Sequence, residues 1–270
     1  MLKKFSKENI DQYVDFYKKE GYVIFTDLFT SSELKGLVND LLSIFENRFV
    51  GISSQKGVSL LYSEYSKNKE MWRECASKMW DVFGVSQCAT KQDVLKALIN
   101  LKLRFPIIAT RPEVRTDMPN DVEYQQPWHQ DWSYGQTSLN AVTLWIPLQD
   151  VSKKNGTIDV LPGSHLLGLA PVIEKQNPRR LEVVDQKFIK RKFKTVELKM
   201  GECVVFSQFL LHRSGSNTSD LPRITFQGRY ADHSDLFYIA NGFFDSFRAE
   251  ASGRKIKTDP LKEQINKYFL

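Results

Sequence analysis

The spacing of apolar residues predicts helices in the first part of the chain and short strands in the rest. After Ser6, a candidate helix cap, apolar side chains recur at helical spacing until Gly21, which predicts an amphipathic helix. The apolar run Tyr22–Phe25 that follows is typical of a strand. We therefore expect a helix that leads directly into a strand.

Further helices are expected between residues 30 and 101. Thr30 and Glu33 have the spacing of a capping box, and the apolar positions after them predict a second amphipathic helix. Segments of about 71–83 and 92–101 also have helical spacing, and Gly84 is the expected break between them. The part of about residues 1–101 is thus predicted to be rich in helices.

From about residue 102 the pattern changes to short apolar or alternating runs between Pro, Gly, Asn and Ser clusters. Strands are predicted over residues 141–148, 157–161, 195–198, 203–206 and 223–230. Short strands of this kind are typical of a jelly roll, in which two packed antiparallel sheets enclose room for a small ligand. We therefore expect a mainly β chain with flanking helices, an α+β arrangement with helices on one sheet.

The composition favours one domain. With 270 residues and 41% hydrophobic content, residues 1–270 can bury a full core. Within this domain we expect the helix-rich part, a jelly-roll core over about 102–232 and a C-terminal extension over about 233–270.

The composition also excludes several classes of protein. No run approaches the roughly 18 apolar residues of a membrane span, and the basic N-terminus lacks the apolar segment of a secretory signal. Three cysteines without metal-like spacing favour a reducing compartment. These features predict a cytoplasmic protein that has no membrane partner.

A net charge of +6 raises the question of a nucleic-acid partner. The 38 basic residues are interspersed with 32 acidic ones and no nucleic-acid motif is present, so we expect no nucleic acid. The one local exception is the basic run 187–194, KFIKRKFK. It is interpreted first as an exposed edge strand whose lysines discourage pairing. The alternative is a surface beside the active site that attracts an anionic substrate.

The sequence His129-Gln130-Asp131 can supply two ligands to a metal. Side chains two positions apart lie on the same face of a strand, whereas Gln130 would point to the opposite face. His212 follows the apolar run 204–211, which is interpreted as a strand and its end, and could supply a third ligand from there. Two histidines and a carboxylate hold non-haem iron and leave three coordination positions open. Taken alone, however, the motif also fits a polar strand end with an exposed acid.

Sequence blocks around these residues add specificity. They are EGYVIF (20–25), SSEL (31–34), PWHQDW (127–132), VTLWIPL (142–148), NGTIDVLPGSH (155–165), GECVVF (201–206), LHRSGSN (211–217) and PRI (222–224). In this order, over roughly residues 15–232, they resemble the phytanoyl-CoA dioxygenase family of Fe(II)- and 2-oxoglutarate-dependent oxygenases. The resemblance implies a double-stranded β-helix, the cupin-like form of the jelly roll.

The resemblance also implies which residues hold the metal. They are His129, Asp131 and His212, the expected Fe(II) ligands and catalytic residues. The chain has 4 histidines. His165 follows a turn signal in a block that is not a ligand block of the family, and His233 lies in a polar stretch without a matching block.

A cosubstrate site follows from the same resemblance. The 5-carboxylate of 2-oxoglutarate would lie in an apolar barrel, where a guanidinium can hold it with two hydrogen bonds. Arg223 follows His212 at the family's interval, and Ser214 matches a hydroxyl that reaches the same carboxylate. Trp145 matches a tryptophan that lines the cosubstrate pocket, although packing in the core would also explain it.

Three residues are candidates for contact with the substrate. Arg115 lies on a strand resembling one in bacterial members, and a surface ion pair is an equal alternative. Trp132 and its neighbour Tyr134 follow the metal ligands and would line the substrate entrance, or else pack in the core. Thr143 should face the same way as Trp145.

The resemblance implies hydroxylation of a C–H bond in a small molecule, with Fe(II), 2-oxoglutarate and O2 as cofactors and cosubstrates and with release of succinate and CO2. Asp131 argues against halogenation, because related halogenases have a small residue there. Desaturation, cyclisation and epimerisation use the same ligands and stay open. The basic run and residues 177–180, NPRR, favour an anionic metabolite as substrate.

Two other classes of function stay open but fit the sequence less well. A non-catalytic jelly-roll binding protein would be expected to lose a metal ligand or Arg223, and neither is lost. A Zn or Mn enzyme without 2-oxoglutarate would not need Arg223 and Ser214.

Overall fold

The N-terminal helices present their apolar faces to one side of a large antiparallel sheet. In the computed structural model, the described residues are 2–49, 55–122, 125–175, 180–244 and 259–270. The helices are α1 (Ile10–Glu20), α2 (Ser31–Phe49), α3 (Val58–Lys67), α4 (Lys69–Met79), α5 (Phe83–Ala89), α6 (Gln92–Asn100), α7 (Trp132–Gly135), α8 (Gln186–Ile189), α9 (Leu236–Ala240) and α10 (Lys262–Asn266), with a 3-10 turn at Ser164–Leu167.

The strands form two main sheets and a hairpin. They are β1 (Tyr22–Phe25), β2 (Pro106–Ile108), β3 (Glu113–Asp117), β4 (Val142–Pro147), β5 (Ile158–Val160), β6 (Ile173–Lys175), β7 (Arg180–Glu182), β8 (Lys194–Val196), β9 (Cys203–Ser207), β10 (His212–Ser214) and β11 (Arg223–Asp232). The large sheet has the order β1-β9-β4-β11-β2, and β3 also pairs with β11. The small sheet has the order β10-β5-β8, and β6 pairs with β7.

The central strands of the large sheet are buried on both faces. Every residue of β1, β4 and β9 is buried, which explains why their sequences YVIF, VTLWIP and CVVFS are nearly continuous apolar runs. One face packs against α1 to α6 in a core that includes Phe25, Leu144 and Phe226. The other face packs against the small sheet through Trp145 and its neighbours. The interior between the two sheets holds the candidate site.

The structure confirms much of the predicted pattern. The five predicted strands are present as β4, β5, β8, β9 and β11. The capping box is formed, since the backbone N–H of Thr30 donates to Glu33 and the backbone N–H of Glu33 donates to the Thr30 hydroxyl. The helices lie on one sheet, as expected, but β1 belongs to the large sheet, so the helix-rich part also supplies a core strand.

Three local predictions were wrong, and some helices were missed. Ser6 does not cap α1; its hydroxyl donates to Asp27 instead. Gly84 does not end a helix but lies inside α5. The helix α3 was not predicted. The basic run is not one edge strand, because residues 186–189 form α8 and only its last residue, Lys194, enters β8 at the edge of the small sheet.

The structure describes only the last residue, Arg180, of the NPRR stretch that favoured an anionic substrate. Residues 177–179 of the NPRR stretch lie outside the described residues. The described part of the chain contains no helix long and apolar enough to cross a membrane.

Candidate metal and cosubstrate site

The metal candidates meet where the chain passes from the large sheet to the small one. The backbone N–H of His129 donates to His212 O at 3.0 Å, and that of His212 donates to His129 O at 3.1 Å. This antiparallel bridge sets the two imidazoles side by side, with ring centroids 4.1 Å apart. Two segments that are distant in sequence therefore deliver one ligand each to the same point.

The backbone at two of the candidate ligands differs from the prediction. Asp131 is not in an extended strand: its φ and ψ of -60° and -28° are helical, and it begins α7. His212 does not end the strand that contains Val204; a turn follows β9, and His212 begins β10 in the other sheet. The side chains of the predicted ligands therefore come together through a bridge and a helical turn, and not through the alternation of one extended strand.

The side chains of His129, Asp131 and His212 are buried and face one another. Their potential ligand atoms all lie within 4.8 Å of one another. Asp131 Oδ1 is 3.5 Å from His129 Nε2 and 3.7 Å from His212 Nε2. The separations leave room for a single ion between two nitrogens and one oxygen.

Backbone carbonyls orient both imidazoles. His129 Nδ1 lies 2.7 Å from Pro127 O, and His212 Nδ1 lies 3.0 Å from Leu210 O. A proton on each Nδ1 is accepted by its carbonyl, which leaves the Nε2 lone pair for a metal. The donor set and its orientation thus fit a divalent transition metal.

The charges of the site also suit a metal. Burial by itself raises the pKa of the Asp131 carboxyl, but Arg229 and the two imidazoles lower that pKa by more, so Asp131 is ionised. Burial lowers the pKa of His212 to about 4, and the nearby His129 adds to this shift. At neutral pH the site therefore offers His212 as a neutral imidazole and Asp131 as a carboxylate.

Arg223 lies at the start of β11 with its guanidinium buried; its side chain is 2% exposed. Its Nη2 is 2.5 Å from Asp117 Oδ2 on the paired strand β3, and its Cζ lies 5.9 Å from the centre of the Trp145 ring. Nε and Nη1 have no hydrogen-bond partner among the described residues. Buried donors without a partner are costly, so this guanidinium fits an anionic ligand.

A cavity of about 440 Å³ joins the metal candidates to Arg223. Ser214, Trp145 and Arg115 line it, as do Tyr134 and several residues of α4. The structure thus brings together the three metal candidates, the three cosubstrate candidates and one of the three substrate candidates.

The other two substrate candidates, Trp132 and Thr143, are not among the residues that line this cavity. Trp132 is buried in the helix-side core, stacked at 5.8 Å on Phe209. Thr143 is buried and its hydroxyl donates to Asp131 Oδ2, so it contacts a metal candidate. Thr143 does face the same interior as Trp145, as the alternation predicts.

Arg115 is within the cavity wall but has a partner. Its Nη2 donates to Asp117 Oδ1 at 2.9 Å, so Asp117 joins Arg115 to Arg223. Burial opposes ionisation of Asp117, yet Arg115 and Arg223 hold the pKa of that carboxyl below its usual value. Arg115 therefore forms an ion pair and also lines the cavity that Arg223 lines.

Sequence reasoning missed Arg229, Glu113 and the contribution of α4. Arg229 Nε lies 3.8 Å from Asp131 Oδ2, and Arg229 Nη1 lies 3.3 Å from Glu113 Oε1. Arg229 is an even number of positions after Arg223 on the same strand, so alternation could have identified it. Trp72 of α4 and Trp80, which directly follows α4, line the cavity without any motif to mark them.

The remaining polar residues of the sequence argument have structural partners. His165 is buried, and its Nε2 lies 3.0 Å from Lys18 O. His233 stacks on Phe105. The Gln130 side chain donates to the carbonyls of Gly168 and Phe209, away from the metal candidates.

Comparisons with known proteins agree with this geometry. A family model described as phytanoyl-CoA dioxygenase matches residues 17–225. The phytanoyl-CoA dioxygenase of Arabidopsis thaliana is 25% identical over 241 residues, covering 78% of this chain and 84% of the plant protein.

Solved structures are similar in fold. The non-haem α-ketoglutarate-dependent carbocyclase SnoK from nogalamycin biosynthesis has a TM-score of 0.63 at 16% identity, covering 96% of each chain. EctD from S. alaskensis, with 2-oxoglutarate and 5-hydroxyectoine, has a TM-score of 0.55 at 16% identity, covering 87% of this chain and 80% of EctD. These likenesses confirm the predicted cupin-like jelly-roll core.

Proposed function

The chain belongs to the phytanoyl-CoA dioxygenase family of non-haem iron, 2-oxoglutarate-dependent dioxygenases, and we propose that it hydroxylates a C–H bond of a small anionic metabolite. The observation that carries this proposal is one cavity with a two-histidine, one-carboxylate cluster and a buried arginine that has unpaired donors. In a metal enzyme without a dicarboxylate cosubstrate, Arg223 would still pair with Asp117, but its other donors would stay buried without a partner.

Different residues would bind the iron and the 2-oxoglutarate. His129, Asp131 and His212 would hold Fe(II) and leave three coordination positions open. Arg223, with Ser214 of the same cavity, would bind the distal carboxylate of 2-oxoglutarate, and Trp145 would form an apolar wall. When bound, iron, 2-oxoglutarate and dioxygen together supply an oxidant able to attack a C–H bond, with release of succinate and carbon dioxide.

The buried setting supports this role. The three candidate ligands are each less than a tenth exposed, and the cavity wall includes Trp145, Ile158 and Phe206. Apolar walls limit water beside the metal, which strengthens the hold of Arg223 on a carboxylate and limits side reactions. The chain would thus contribute orientation and exclusion of water, and the cosubstrates the oxidising power.

The charge of the cavity wall supports an anionic substrate. Five arginines line the cavity, and four carboxylates line it or pair with these arginines, which leaves an excess of one positive charge; they are Arg73, Arg115, Arg213, Arg223 and Arg229, and Glu113, Asp117, Asp131 and Asp159. Ferrous iron and doubly charged 2-oxoglutarate cancel each other, so binding them leaves the positive excess in place. A carboxylate or phosphate on the substrate would be attracted to this wall.

The same ligands are compatible with desaturation, cyclisation or epimerisation. A screen of metabolites for substrate-dependent succinate release, followed by mass analysis of the product, separates these outcomes. Gain of one oxygen by an anionic compound supports the proposal, whereas loss of two hydrogens or an isomer of equal mass identifies another reaction. If only neutral compounds accelerated succinate release, the assignment of an anionic substrate would be contradicted.

A further inference from the structure

The two oxygens of the Asp131 carboxylate have different surroundings. Oδ1 faces the imidazoles of His129 and His212 at 3.5 and 3.7 Å. Oδ2 accepts a hydrogen bond from the Thr143 hydroxyl and lies 3.8 Å from Arg229 Nε. One oxygen is therefore directed to the metal position and the other is held on the opposite side.

Both groups that hold Oδ2 come from one position in the large sheet. Thr143 on β4 and Arg229 on β11 are direct cross-strand partners in the antiparallel register. Partners in such a register project from the same face of the sheet, here the face that contacts Asp131. A hydroxyl donor and a positive charge thus reach the same oxygen from neighbouring strands.

Arg229 is itself fixed by its surroundings. Its Nη1 lies 3.3 Å from Glu113 Oε1 on β3, and its Nη2 donates to Gln227 Oε1 at 3.3 Å. The side chain lines the cavity, yet only 18% of it is exposed. These contacts use the far end of the guanidinium and leave Nε on the side of Asp131.

We propose that Thr143 and Arg229 are positioning residues that hold the outer oxygen of Asp131, so that only Oδ1 is presented to the metal. This inference rests on the proposed function, because 2-oxoglutarate and dioxygen together need three open coordination positions. A carboxylate that bound through both oxygens would occupy one of them. Groups that orient metal ligands typically change metal affinity about 10- to 100-fold when they are removed.

The test uses Mn²⁺ as the probe and the full chain. The dissociation constant for Mn²⁺, measured without 2-oxoglutarate, is expected to rise about 10- to 100-fold in Thr143→Val and in Arg229→Met. Thr143→Ser keeps the hydroxyl and should stay within about threefold of the wild type, which a purely steric role would not predict. The double variant should lose less than the product of the single losses, because both groups act on one oxygen.

Thr225→Val is the matched control. Thr225 is a buried residue of β11 whose hydroxyl has no partner among the described residues, so the variant removes a hydroxyl without touching Asp131. At saturating Mn²⁺, Thr143→Val should also bind 2-oxoglutarate more weakly than Thr225→Val does.

Two results would overturn the inference. One is wild-type Mn²⁺ affinity in Thr143→Val, and the other is undiminished 2-oxoglutarate affinity in the Mn²⁺-loaded variant. Both leave the proposed function intact if the wild type still binds metal and 2-oxoglutarate together. Failure of the wild type to bind them would instead count against the proposed function.

Discussion

Two regions of the molecule each contain a buried histidine, and they differ in what surrounds the ring. His212 lies at the edge of the small sheet, and His165 lies between the end of α1 and Phe269. Burial lowers the pKa of both imidazoles to about 4. Burial and a shifted pKa alone therefore do not distinguish a metal ligand from a residue of the core.

The partners of Nε2 make the distinction. In His165 this nitrogen lies 3.0 Å from Lys18 O, and the ring is edge-on to Phe269 and in contact with Gly21. In His212 the nitrogen bound to a backbone carbonyl, that of Leu210, is Nδ1, so Nε2 faces Asp131 and the cavity. A histidine becomes a candidate ligand when its backbone partner leaves Nε2 directed at other ligands.

The largest expected effect is on metal binding. His212→Ala removes one of three ligands and should weaken Mn²⁺ binding by at least about 100-fold, more than loss of a group that only orients a ligand. His165→Ala should keep Mn²⁺ affinity within a few fold. Calorimetric titration of both variants measures the difference, and loss of the site in His165→Ala alone would make the ligand assignment wrong.

The second-largest expected effect is on 2-oxoglutarate binding at the Arg223 end of the cavity. Arg223→Met keeps much of the side-chain volume but removes the guanidinium, and 2-oxoglutarate affinity should fall about 30-fold or more, since truncating a buried charge partner costs about 2 kcal/mol or more. Mn²⁺ affinity without 2-oxoglutarate should be unchanged. Equal loss of both affinities would contradict separate roles for Arg223 and the metal ligands.

A change beside His165 should affect stability and spare the metal site. Gly21 ends α1 at φ +81°, and a Cβ there would overlap the His165 ring. Gly21→Ala should lower the free energy of unfolding by about 2–4 kcal/mol, combining left-handed strain with overpacking. Gly163→Ala is the control: its backbone is also left-handed, at φ +74° and ψ 0°, and a Cβ there would make only an ordinary contact with Lys19 O at 3.6 Å, so only strain applies. Equal losses in urea unfolding would rule out the steric role of His165.

The smallest effect is a dependence of stability on pH. The pKa of His165 is lower in the folded protein than its ordinary 6.5, so the unfolded chain binds more protons below that pH. Stability should fall as pH decreases from about 6.5 towards 4. His165→Gln should remove up to about 2 kcal/mol of the loss between pH 7 and 5 in metal-free protein. If the free energy of unfolding fell equally with pH in the variant and the wild type, this role of His165 would be contradicted.

The sequence identified the features that depend on local pattern. The capping box of α2, the five strands of the core and the residue types at His129, Asp131 and His212 follow from spacing and short motifs. The buried role of Arg223 followed from the chemistry of a dicarboxylate together with family resemblance.

Features that depend on strand pairing could not be predicted from local sequence pattern. The contact of Thr143 and Arg229 with Asp131 requires the register of β4 against β11. Trp132 packs in the core because Asp131 begins a helical turn, which rotates the next side chain away from the cavity. An alternating strand pattern predicts neither arrangement.

The most direct test of the central claim is an anaerobic titration of the Fe(II)-loaded protein with 2-oxoglutarate. A weak visible metal-to-ligand charge-transfer band should appear and saturate at one equivalent, need a much higher concentration in Arg223→Met, and be missing in His212→Ala. No band in the metal-loaded wild type would contradict joint binding of iron and 2-oxoglutarate in this cavity.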